Sequence, residues 1–549
     1  MTGLDRRAFL AAAVTASVGL GSGLVAGRQW GRTDEDGVDG VDLGLAGAAA
    51  GALGISAGLL LGRRSRGPAE GQSIDIVIIG AGVAGTLAAY RLAARYPTKS
   101  IAIFESRSRI GGRLWSVPVP PVQNEMAELG GMRTPFQHRE TLDLIDELGL
   151  STHPAPAVAP GNFVRLRGTR LRRQEVTHAG QFPYALRPDL AALSPDAFFV
   201  RLAEAVGLED LSKVGADETG EWLDGLSHHG TKLSFITAGE LLEAEFGSEG
   251  AAFLQDWIGY ELADLSASKW LGTVLAVSDA QYMGLDGGMQ RIPLTLADRA
   301  TEAGVSIHLG WRALSITDDP DSSGGLTVHF GHPTESGTRT VRAGTVILAQ
   351  SGSSMRRLWF NSPILQQSAV LSRALTHLVE NDSVKIYLAY DRPWWRDLRL
   401  EPGKSVSDGP LRQTIYLQED PSGASLIMAS YSFGRHALRA FPSLEASPTE
   451  QDAGRLDDAV IRAVTEALSE MHGVAVPLPI DGRGTHWGDT AVGSDIPLWG
   501  PGVEPWKMTK DLIAPIDRRR LFICGDALSL NQGWVLGALQ TTAHVLDRL

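Results

Sequence analysis

The chain has 549 residues, with 63 acidic and 50 basic side chains and a net charge of −13 at pH 7. A chain this long exceeds what one hydrophobic core organises, so we expect two domains plus appendages. The acidic balance argues against a nucleic-acid partner, because nucleic acids are bound by concentrated positive charge. The single cysteine, Cys524, excludes an intrachain disulfide framework and a thiolate metal cluster.

The histidines do not indicate a metal site. None of the 13 histidines falls in a spacing typical of metal ligands, such as H-E-x-x-H. The adjacent pair His228 and His229 lies in a stretch rich in Gly and Asp, and we interpret it as a solvated loop. We therefore predict no metal.

The first thirty residues predict a targeting segment and not a part of the fold. Residues 5–10 read DRRAFL, and an uncharged stretch rich in Ala, Val, Leu and Gly follows to Gly27. This pattern resembles a twin-arginine export signal, although Asp5 replaces the usual Ser or Thr and no clear A-x-A cleavage site follows. We assign residues 1–30 to such a signal, or to an anchor helix, and expect export to the cell envelope or beyond.

A second uncharged stretch, Leu43 to Leu61, is followed by RRSRG at residues 63–67. It is just long enough to span a bilayer, but its many Gly and Ala residues make insertion marginal. If both stretches insert as a hairpin, the flanking arginines would hold both ends in the cytoplasm, which is the alternative to export. We assign residues 31–72 to this Gly/Ala-rich segment and a linker, with membrane association left open.

Residues 73–106 carry the pattern of a βαβ unit. The β-branched run 74–79 predicts a buried parallel strand, residues 83–95 predict a helix, and residues 100–104 predict a second strand. This order predicts a Rossmann-like fold.

The turn after the first strand reads G-x-G-x-x-G, with Gly80, Gly82 and Gly85. These glycines let a pyrophosphate approach the backbone at the helix N-terminus, where free N–H groups and the helix dipole favour negative charge. Glu105 lies twenty positions after Gly85, where an acidic side chain accepts hydrogen bonds from ribose hydroxyls. The pattern predicts a dinucleotide site.

Two further stretches favour a flavin over a nicotinamide. In RIGGRLWS (109–116), Arg113 supplies a fixed positive fork for a pyrophosphate oxygen, an element that NAD-only folds do not need. Residues 519–546 read as a strand that ends at Gly525-Asp526, followed by a loop and a helix from Gly533-Trp534. The acid suits a ribityl hydroxyl, and the helix N-terminus suits negative charge on a flavin.

Together these stretches resemble the flavin-containing amine oxidase superfamily and, within it, the L-amino-acid oxidase branch. The matching stretches run in family order from about residue 73 to the end, and they are GAGVAG (80–85), RIGGR (109–113), ELGGMR (128–133), GLDGGMQRIP (284–293), VKIYLAYDRPWW (384–395), GPLRQTIYL (409–417), LIMASYSFG (426–434) and GDALSLNQGWVLGAL (525–539). One departure is AQSGSS (349–354), where the family has an ALPP-like turn.

The resemblance implies an α/β fold in which an FAD-binding Rossmann-like domain of the GR2 type is interleaved with an α+β substrate-binding domain. The implied FAD-binding segments are 73–135, 281–359 and 511–549, and the implied substrate-binding and helical segments are 136–280 and 360–510. FAD is expected to be noncovalent, because the attachment cysteine of monoamine oxidases has no counterpart. The implied FAD-binding residues are Gly80, Gly82, Gly85, Glu105, Gly112, Arg113, Gly131, Met132, Val305, Gly525, Asp526, Gly533, Trp534 and Val535.

The resemblance also assigns three catalytic positions. Lys385 matches the lysine that holds a water near the flavin N5 and assists the reaction of reduced flavin with oxygen, although its strand pattern alone would also allow it to face solvent. Arg133 and Tyr416 match the pair that holds the substrate carboxylate. Tyr431 is a weaker candidate for the substrate site than Tyr416, because tyrosines on such strands more often pack in the core, and Glu128 is expected to support the turn.

The expected function is FAD-dependent oxidative deamination of an L-amino acid to a 2-oxo acid, ammonia and hydrogen peroxide, with molecular oxygen as the second substrate. The alternatives are a mono- or polyamine oxidase, an amino-acid monooxygenase or a flavin dehydrogenase of the same fold. A non-enzyme alternative is a membrane-anchored flavoprotein that serves as a redox partner. The amphipathic stretch 238–262 predicts either a pocket roof or the face of a homo-oligomer.

Overall fold

The computed structural model describes residues 67–156, 158–208, 221–278, 281–322, 324–334, 337–418, 420, 423–434, 441, 444, 453–488 and 496–549. The predicted signal or anchor and residues 31–66 lie outside the described residues, so export and membrane association stay predictions. Across the described ranges, no helix combines the length and apolar character needed to cross a membrane.

The first sheet has seven strands and is built around the predicted βαβ unit. Its neighbouring strands are, in spatial order, Ser306–Leu309, Ile101–Glu105, Gln72–Ile79, Thr338–Leu348, Leu326–Gly331 and Arg312–Asp318, and Leu521–Ile523 pairs with the C-terminal end of Thr338–Leu348. Leu326–Gly331 is antiparallel to both of its neighbours, whereas the other pairs are parallel. The carboxyl ends of the parallel strands lie along the same edge of the sheet, and this is the edge at which such sheets bind ligands.

Helices cover the first sheet because its central strand is apolar on both faces. Ile76 and Ile78 pack into one core cluster, and Val77 and Ile79 pack into another on the opposite face. The helix Val83–Arg95, with bounds equal to the predicted ones, belongs to the first of these clusters. The sheet is therefore the middle layer of an α/β arrangement, as the sequence predicts.

The second sheet also has seven strands, and it faces the carboxyl ends of the first across a cavity. Its strands are, in spatial order, Asp481–Trp487, Ser383–Tyr390, Ser425–Phe433, Gln413–Tyr416, Gly403–Ser407, Phe163–Leu166 and Thr169–Arg172. The pairing is antiparallel except between Gly403–Ser407 and Phe163–Leu166. These strands fall in the segments expected to bind substrate, and those of the first sheet fall in the segments expected to bind FAD, with Gln72 one residue ahead.

Four smaller sheets complete the strands that the structure describes. The three-stranded sheet is Thr134–Pro135, Tyr282–Leu285 and Thr152–Ala155, and the two-stranded pairs are Ser116–Pro118 with Met126–Glu128, Ser227–His228 with Thr231–Lys232, and Leu378–Asn381 with Ile496–Trp499. The three-stranded sheet begins directly after Arg133 and therefore fixes the position of that residue.

The helices pack around and between the sheets. The α-helices are Val83–Arg95, Arg139–Glu147, Pro188–Ala191, Pro195–Ala205, Ala238–Ile258, Ala267–Ser278, Arg291–Glu302, Gly352–Phe360, Pro363–Gln366, Ala369–Thr376, Asp458–His472, Pro505–Leu512 and Val535–Arg548. The 3-10 helices are Arg173–Glu175, Ala179–Gln181, Glu221–Gly225, Leu233–Phe235, Trp394–Leu398 and Asp526–Leu528.

The interpretation of a solvated loop is wrong for His228, whereas His229 is exposed and lies in a turn, as expected. His228 is 6% exposed, and its Nε2 lies 2.6 Å from a carboxylate oxygen of Glu245. His229 has a positive φ of 47° and forms, with the next glycine, the turn of a two-residue hairpin, a position at which histidine is tolerated. The potential ligand atoms of the two histidines and Glu245 lie within 4.8 Å of one another, so the pair belongs to a compact folded hairpin.

Candidate active site

A cavity of about 860 Å³ separates the two large sheets. One wall consists of residues at the carboxyl ends of parallel strands in the first sheet, such as Ile79 and Glu105. The facing wall includes Lys385 and Tyr431 from the second sheet. A volume of this size suits a large cofactor with a small substrate, and the strand ends of an α/β sheet are a favoured ligand position.

Glu105 closes the dinucleotide end of the cavity. Its carboxylate accepts hydrogen bonds from the backbone N–H of Ala81 at 2.8 Å and of Arg107 at 2.8 Å. It also accepts one from the hydroxyl of Ser106 at 3.2 Å. Because an ionised carboxylate has about four acceptor positions, it retains capacity for a ribose hydroxyl after these three bonds. The glycine turn and the predicted ribose acid are thus brought together at one site.

Arg113 and Asp526, although 413 positions apart in sequence, form a bidentate ion pair. Their two N–O distances are 2.8 Å and 2.5 Å, and Asp526 also accepts a hydrogen bond from the N–H of Gly533 at 3.1 Å. Both side chains line the cavity. The pair joins the second glycine turn to the C-terminal motif, so that cationic and anionic groups for a pyrophosphate and a ribityl chain stand side by side.

The residues fit FAD because close backbone approach leaves space for it. A Cβ at Gly112 would lie 3.3 Å from the Cα of Gly82, which shows that the two glycine turns touch. The buried Oε1 of Gln350 lines the cavity and has no hydrogen-bond partner in the described part of the chain, so it is available to a polar ligand. Cys524 lies outside the cavity lining and is 2% exposed, and burial raises the pKa of its thiol to about 12, as expected for a protein that holds flavin noncovalently.

Twelve of the fourteen predicted FAD-binding residues line the cavity, and they are Gly80, Gly82, Glu105, Gly112, Arg113, Gly131, Met132, Gly525, Asp526, Gly533, Trp534 and Val535. Gly85 lies outside the lining and has a packing role, because a Cβ there would meet the carbonyl oxygen of Gly80 at 1.9 Å. The prediction for Val305 is wrong. Its side chain is 4% exposed and packs in the helix-covered core ahead of the edge strand, whereas Trp311 and Ala313 line the cavity instead.

Lys385 lies on the strand Ser383–Tyr390, which is buried along its whole length and is the second strand from one edge of the second sheet. Its Nζ donates a hydrogen bond to the carbonyl oxygen of Gly130 at 2.5 Å, and the side chain lines the cavity at 4% exposure. Burial lowers the pKa of Lys385 to about 7, the charge of Glu128 opposes this shift, and the charge of Arg133 adds to it. The alternative that this lysine faces solvent is therefore wrong.

Glu128 supports the turn, as predicted. One carboxylate oxygen accepts a hydrogen bond from the hydroxyl of Ser116 at 2.7 Å, and the other accepts one from the N–H of Met289 at 2.7 Å. Burial raises the pKa of Glu128. The side chain thereby ties the turn that carries Arg133 to the segment before the helix Arg291–Glu302.

Arg133 lines the cavity and is held in place from two directions. Its guanidinium carbon lies 3.7 Å above the ring centre of Tyr282, and its Nη1 donates a hydrogen bond to the carbonyl oxygen of Pro156 at 2.8 Å. Within the described ranges it forms no ion pair. A planar guanidinium has five donors, so this contact leaves most of them for a ligand.

Tyr416 does not reach the cavity, and its predicted contact with the substrate is wrong in this structure. Its side chain is fully buried, and its hydroxyl contacts Ser405 Oγ at 3.0 Å and His472 Nε2 at 2.5 Å. Side chains alternate along a strand. Ile415 packs in the cluster near the cavity, and Tyr416 points to the opposite face, toward the helix that ends at His472.

We expect Tyr416→Phe to change the KM for substrate by less than about twofold and to lower stability by about 1–3 kcal/mol, because two buried polar partners lose a hydrogen bond. Steady-state kinetics and urea denaturation of the variant measure these two effects. A tenfold rise in KM with unchanged stability would restore the role in substrate binding.

Three aromatic side chains and a lysine that sequence reasoning did not assign also line the cavity, and they are Tyr260, Tyr282, Tyr431 and Lys404. The rings of Tyr260 and Tyr431 meet edge to face, 5.9 Å apart, and Lys385 Nζ lies 4.9 Å from the ring centre of Tyr431. Of the two alternatives for Tyr431, a place on the cavity and a place in the core, the structure shows the first. These residues come from separate elements, and only Tyr431 lies in one of the stretches that match the family.

One cavity is bordered by two glycine turns and by the acids Glu105 and Asp526. This combination is typical of a dinucleotide-binding flavoprotein. The chain matches the family model described as flavin containing amine oxidoreductase over residues 83–544, and it belongs to this family. Membership of this family confirms the predicted resemblance, the predicted fold class and the prediction of FAD as the cofactor. The protein is thus an oxidoreductase that acts on amine or amino-acid substrates.

Relatives and solved structures agree with this assignment. The L-amino-acid oxidase of Mus musculus is 26% identical over 484 residues, which cover 86% of this chain and 70% of the relative. Aplysianin-A of Aplysia kurodai is 25% identical over 519 residues, which cover 86% of this chain and 90% of that relative. A putrescine oxidase structure with bound putrescine has a TM-score of 0.62 at 18% identity, and the match covers 87% of this chain and 99% of that one. Cyclohexylamine oxidase from Brevibacterium oxydans has a TM-score of 0.61 at 19% identity, and the match covers 86% of this chain and 99% of that one. The likeness to these two structures shows the fold.

Proposed function

We propose that the protein catalyses FAD-dependent oxidative deamination of an L-amino acid. The balanced reaction consumes the amino acid, molecular oxygen and water, and yields a 2-oxo acid, ammonia and hydrogen peroxide. The observation that carries the proposal is the position of Arg133, a cation on the cavity wall that forms no ion pair with a described residue. A carboxylate on the substrate would supply the missing partner.

The charges of the cavity favour a carboxylate over a polyamine. Among the described lining residues, the acids are Glu105 and Asp526, and both belong to the part that fits FAD. The remaining wall near Arg133 carries two further basic side chains, Lys385 and Lys404. A dicationic amine would meet like charges there, whereas an amino acid brings its own anion. Relatives named as L-amino-acid oxidases support the same conclusion.

When bound, FAD supplies the two-electron oxidation of the substrate. The chain itself supplies orientation, because a two-pronged grip on the carboxylate fixes the α carbon relative to the cavity wall. Tyr260 and Tyr431 form an aromatic wall that limits water around the amine. Lys385 is bonded to a backbone carbonyl, and burial lowers its pKa to about 7, so it is placed to hold a water molecule and to exchange a proton during oxygen reduction.

Product stoichiometry tests the proposed reaction. We expect equimolar 2-oxo acid, ammonia and hydrogen peroxide from an L-amino acid, and no turnover of the D enantiomer as the matched control. Release of carbon dioxide with an amide product would instead establish a monooxygenase. Substrate oxidation without peroxide, dependent on an added electron acceptor, would establish a dehydrogenase.

The second candidate is a mono- or polyamine oxidase. It is favoured by the aromatic wall of Tyr260 and Tyr431, which would also suit an amine without a carboxylate. It leaves Arg133 without a partner, so the two candidates differ in whether the substrate must carry a carboxylate.

A further inference from the structure

Lys404 is a second basic side chain in the substrate part of the cavity. It lies on the strand Gly403–Ser407, lines the cavity and is half-buried. Its Nζ lies 5.7 Å from the ring centre of Tyr260. The side chain therefore borders the cavity beside Tyr260.

No described residue neutralises Lys404. In the part of the chain that the structure describes, its Nζ has no hydrogen-bond acceptor and no ion-pair partner. The charged groups that act on it are the cations Arg133 and Arg173, and together with burial they lower the pKa of Lys404 to about 7. Lys385 differs, because it donates to the carbonyl oxygen of Gly130. An ammonium group with three donors and no acceptor is costly to enclose unless a ligand supplies an anion.

The cavity wall sets Lys404 apart from the basic group at Lys385. Lys404 Nζ lies 5.7 Å from the ring centre of Tyr260, and the ring centres of Tyr260 and Tyr431 are 5.9 Å apart. Lys385 Nζ lies 4.9 Å from the ring centre of Tyr431. Two aromatic rings thus separate the two lysines. Arg133 lines the same cavity, and its charge acts on Lys404, so one small ligand has both cations and the aromatic rings within the same enclosure.

We propose that Lys404 forms a second anion subsite, which binds the side-chain carboxylate of an acidic L-amino acid while Arg133 binds the α-carboxylate. The proposal rests on the proposed function, because it requires an amino acid in this cavity. It assigns the substrate class as dicarboxylic amino acids, of which L-glutamate and L-aspartate are the common members. It also accounts for a cation that no described residue neutralises.

The test compares L-glutamate with L-glutamine in the purified holoenzyme, because the two differ in the charge of the terminal group and little in shape. We expect the wild-type enzyme to have a higher kcat/KM for L-glutamate than for L-glutamine, by on the order of 10- to 100-fold, as is typical of a hydrogen bond to a charged group. Lys404→Met is expected to reduce this ratio to about one. Lys404→Arg, which keeps the cation, is expected to retain most of it.

The exposed lysine variant Lys510→Met is the matched control, and it should leave the ratio unchanged. Flavin absorbance of each purified variant shows that the fold and cofactor site are intact. A wild-type ratio near one, or a ratio that Lys404→Met does not change, would overturn the acidic subsite while turnover of L-amino acids upholds the proposed function. If Lys404→Met lowers kcat/KM equally for all L-amino acids, the proposal would also be overturned, since Lys404 would then act on the α-carboxylate. Oxidation of carboxylate-free amines alone would mark the failure of the proposed function itself.

Discussion

Arg133→Ala is expected to lower kcat/KM for L-amino acids by about 30-fold to several-thousand-fold while the protein retains bound FAD. This range corresponds to about 2–5 kcal/mol, the cost of removing one partner of a buried, hydrogen-bonded charge pair. The side chain contacts Tyr282 and Pro156, and in the described part of the chain no hydrogen bond or ion pair joins it to Arg113 or Asp526. The loss should therefore fall on the substrate and not on the cofactor.

Arg139→Ala is the matched control for this variant. Arg139 also stacks on an aromatic ring, with its guanidinium carbon 3.9 Å from the ring centre of Phe136, but it lies outside the cavity lining. The measurement is kcat/KM for an L-amino acid and for the amine that lacks its carboxylate, with flavin absorbance recorded for each variant. A similar loss on both substrates would show that Arg133 acts on the fold of the cavity and not on the carboxylate.

Lys385→Met is expected to slow the reaction of the reduced enzyme with oxygen by about 10²- to 10⁴-fold, the usual range for loss of a proton-transferring group. Reduction by substrate without oxygen should change much less, because Lys385 is bonded to the backbone near Glu128 and Gly130. Rapid-mixing measurements of the two half-reactions separate these effects. Slowing of the reductive step alone would contradict the assignment.

The pH dependence of this step follows from the low pKa of Lys385. Because the side chain loses its proton as the pH rises through about 7, the rate of wild-type reoxidation should fall above that pH, whereas the rate for Lys385→Met should not depend on it.

The low pKa of Lys385 also makes the free energy of unfolding depend on pH. The folded pKa lies below the unfolded value of about 10.4, so burial of the charged lysine destabilises the fold most below the folded pKa, and the penalty disappears as the pH rises toward the unfolded pKa. We therefore expect Lys385→Met to raise the free energy of unfolding, most clearly at about pH 6.

Local motifs predicted the cofactor side of the protein well because backbone chemistry dictates them. The helix Val83–Arg95 has the predicted bounds, and Glu105 ends its strand where a ribose acid is needed. Glycines that permit positive φ or close approach leave a pattern that is readable in one short stretch, and Gly80 with φ 115° is an example. Arg113 and Asp526 were predicted separately, but their pairing across the chain required the fold.

The substrate side was harder to predict because strand registers decide which face a side chain occupies. The resemblance assigned Tyr416 to the substrate, but neighbouring residues of a strand face opposite sides, and Ile415 occupies the side near the cavity. Lys404 is in no motif, and it reaches the cavity because its strand pairs with the strand of Ile415. Tyr260 reaches the same wall from the end of a helical segment, so sequence distance hides the site.

The claim that the substrate must carry a carboxylate is tested most directly by anaerobic mixing of the wild-type holoenzyme with matched pairs of compounds. Each pair is an L-amino acid and the amine left after its carboxylate is removed, and loss of visible flavin absorbance reports reduction. We predict that the L-amino acid bleaches the flavin and that its paired amine does so at least about 30-fold more slowly, because the amine leaves Arg133 without an anion. Equal or faster bleaching by the amines would contradict the account and establish an amine oxidase.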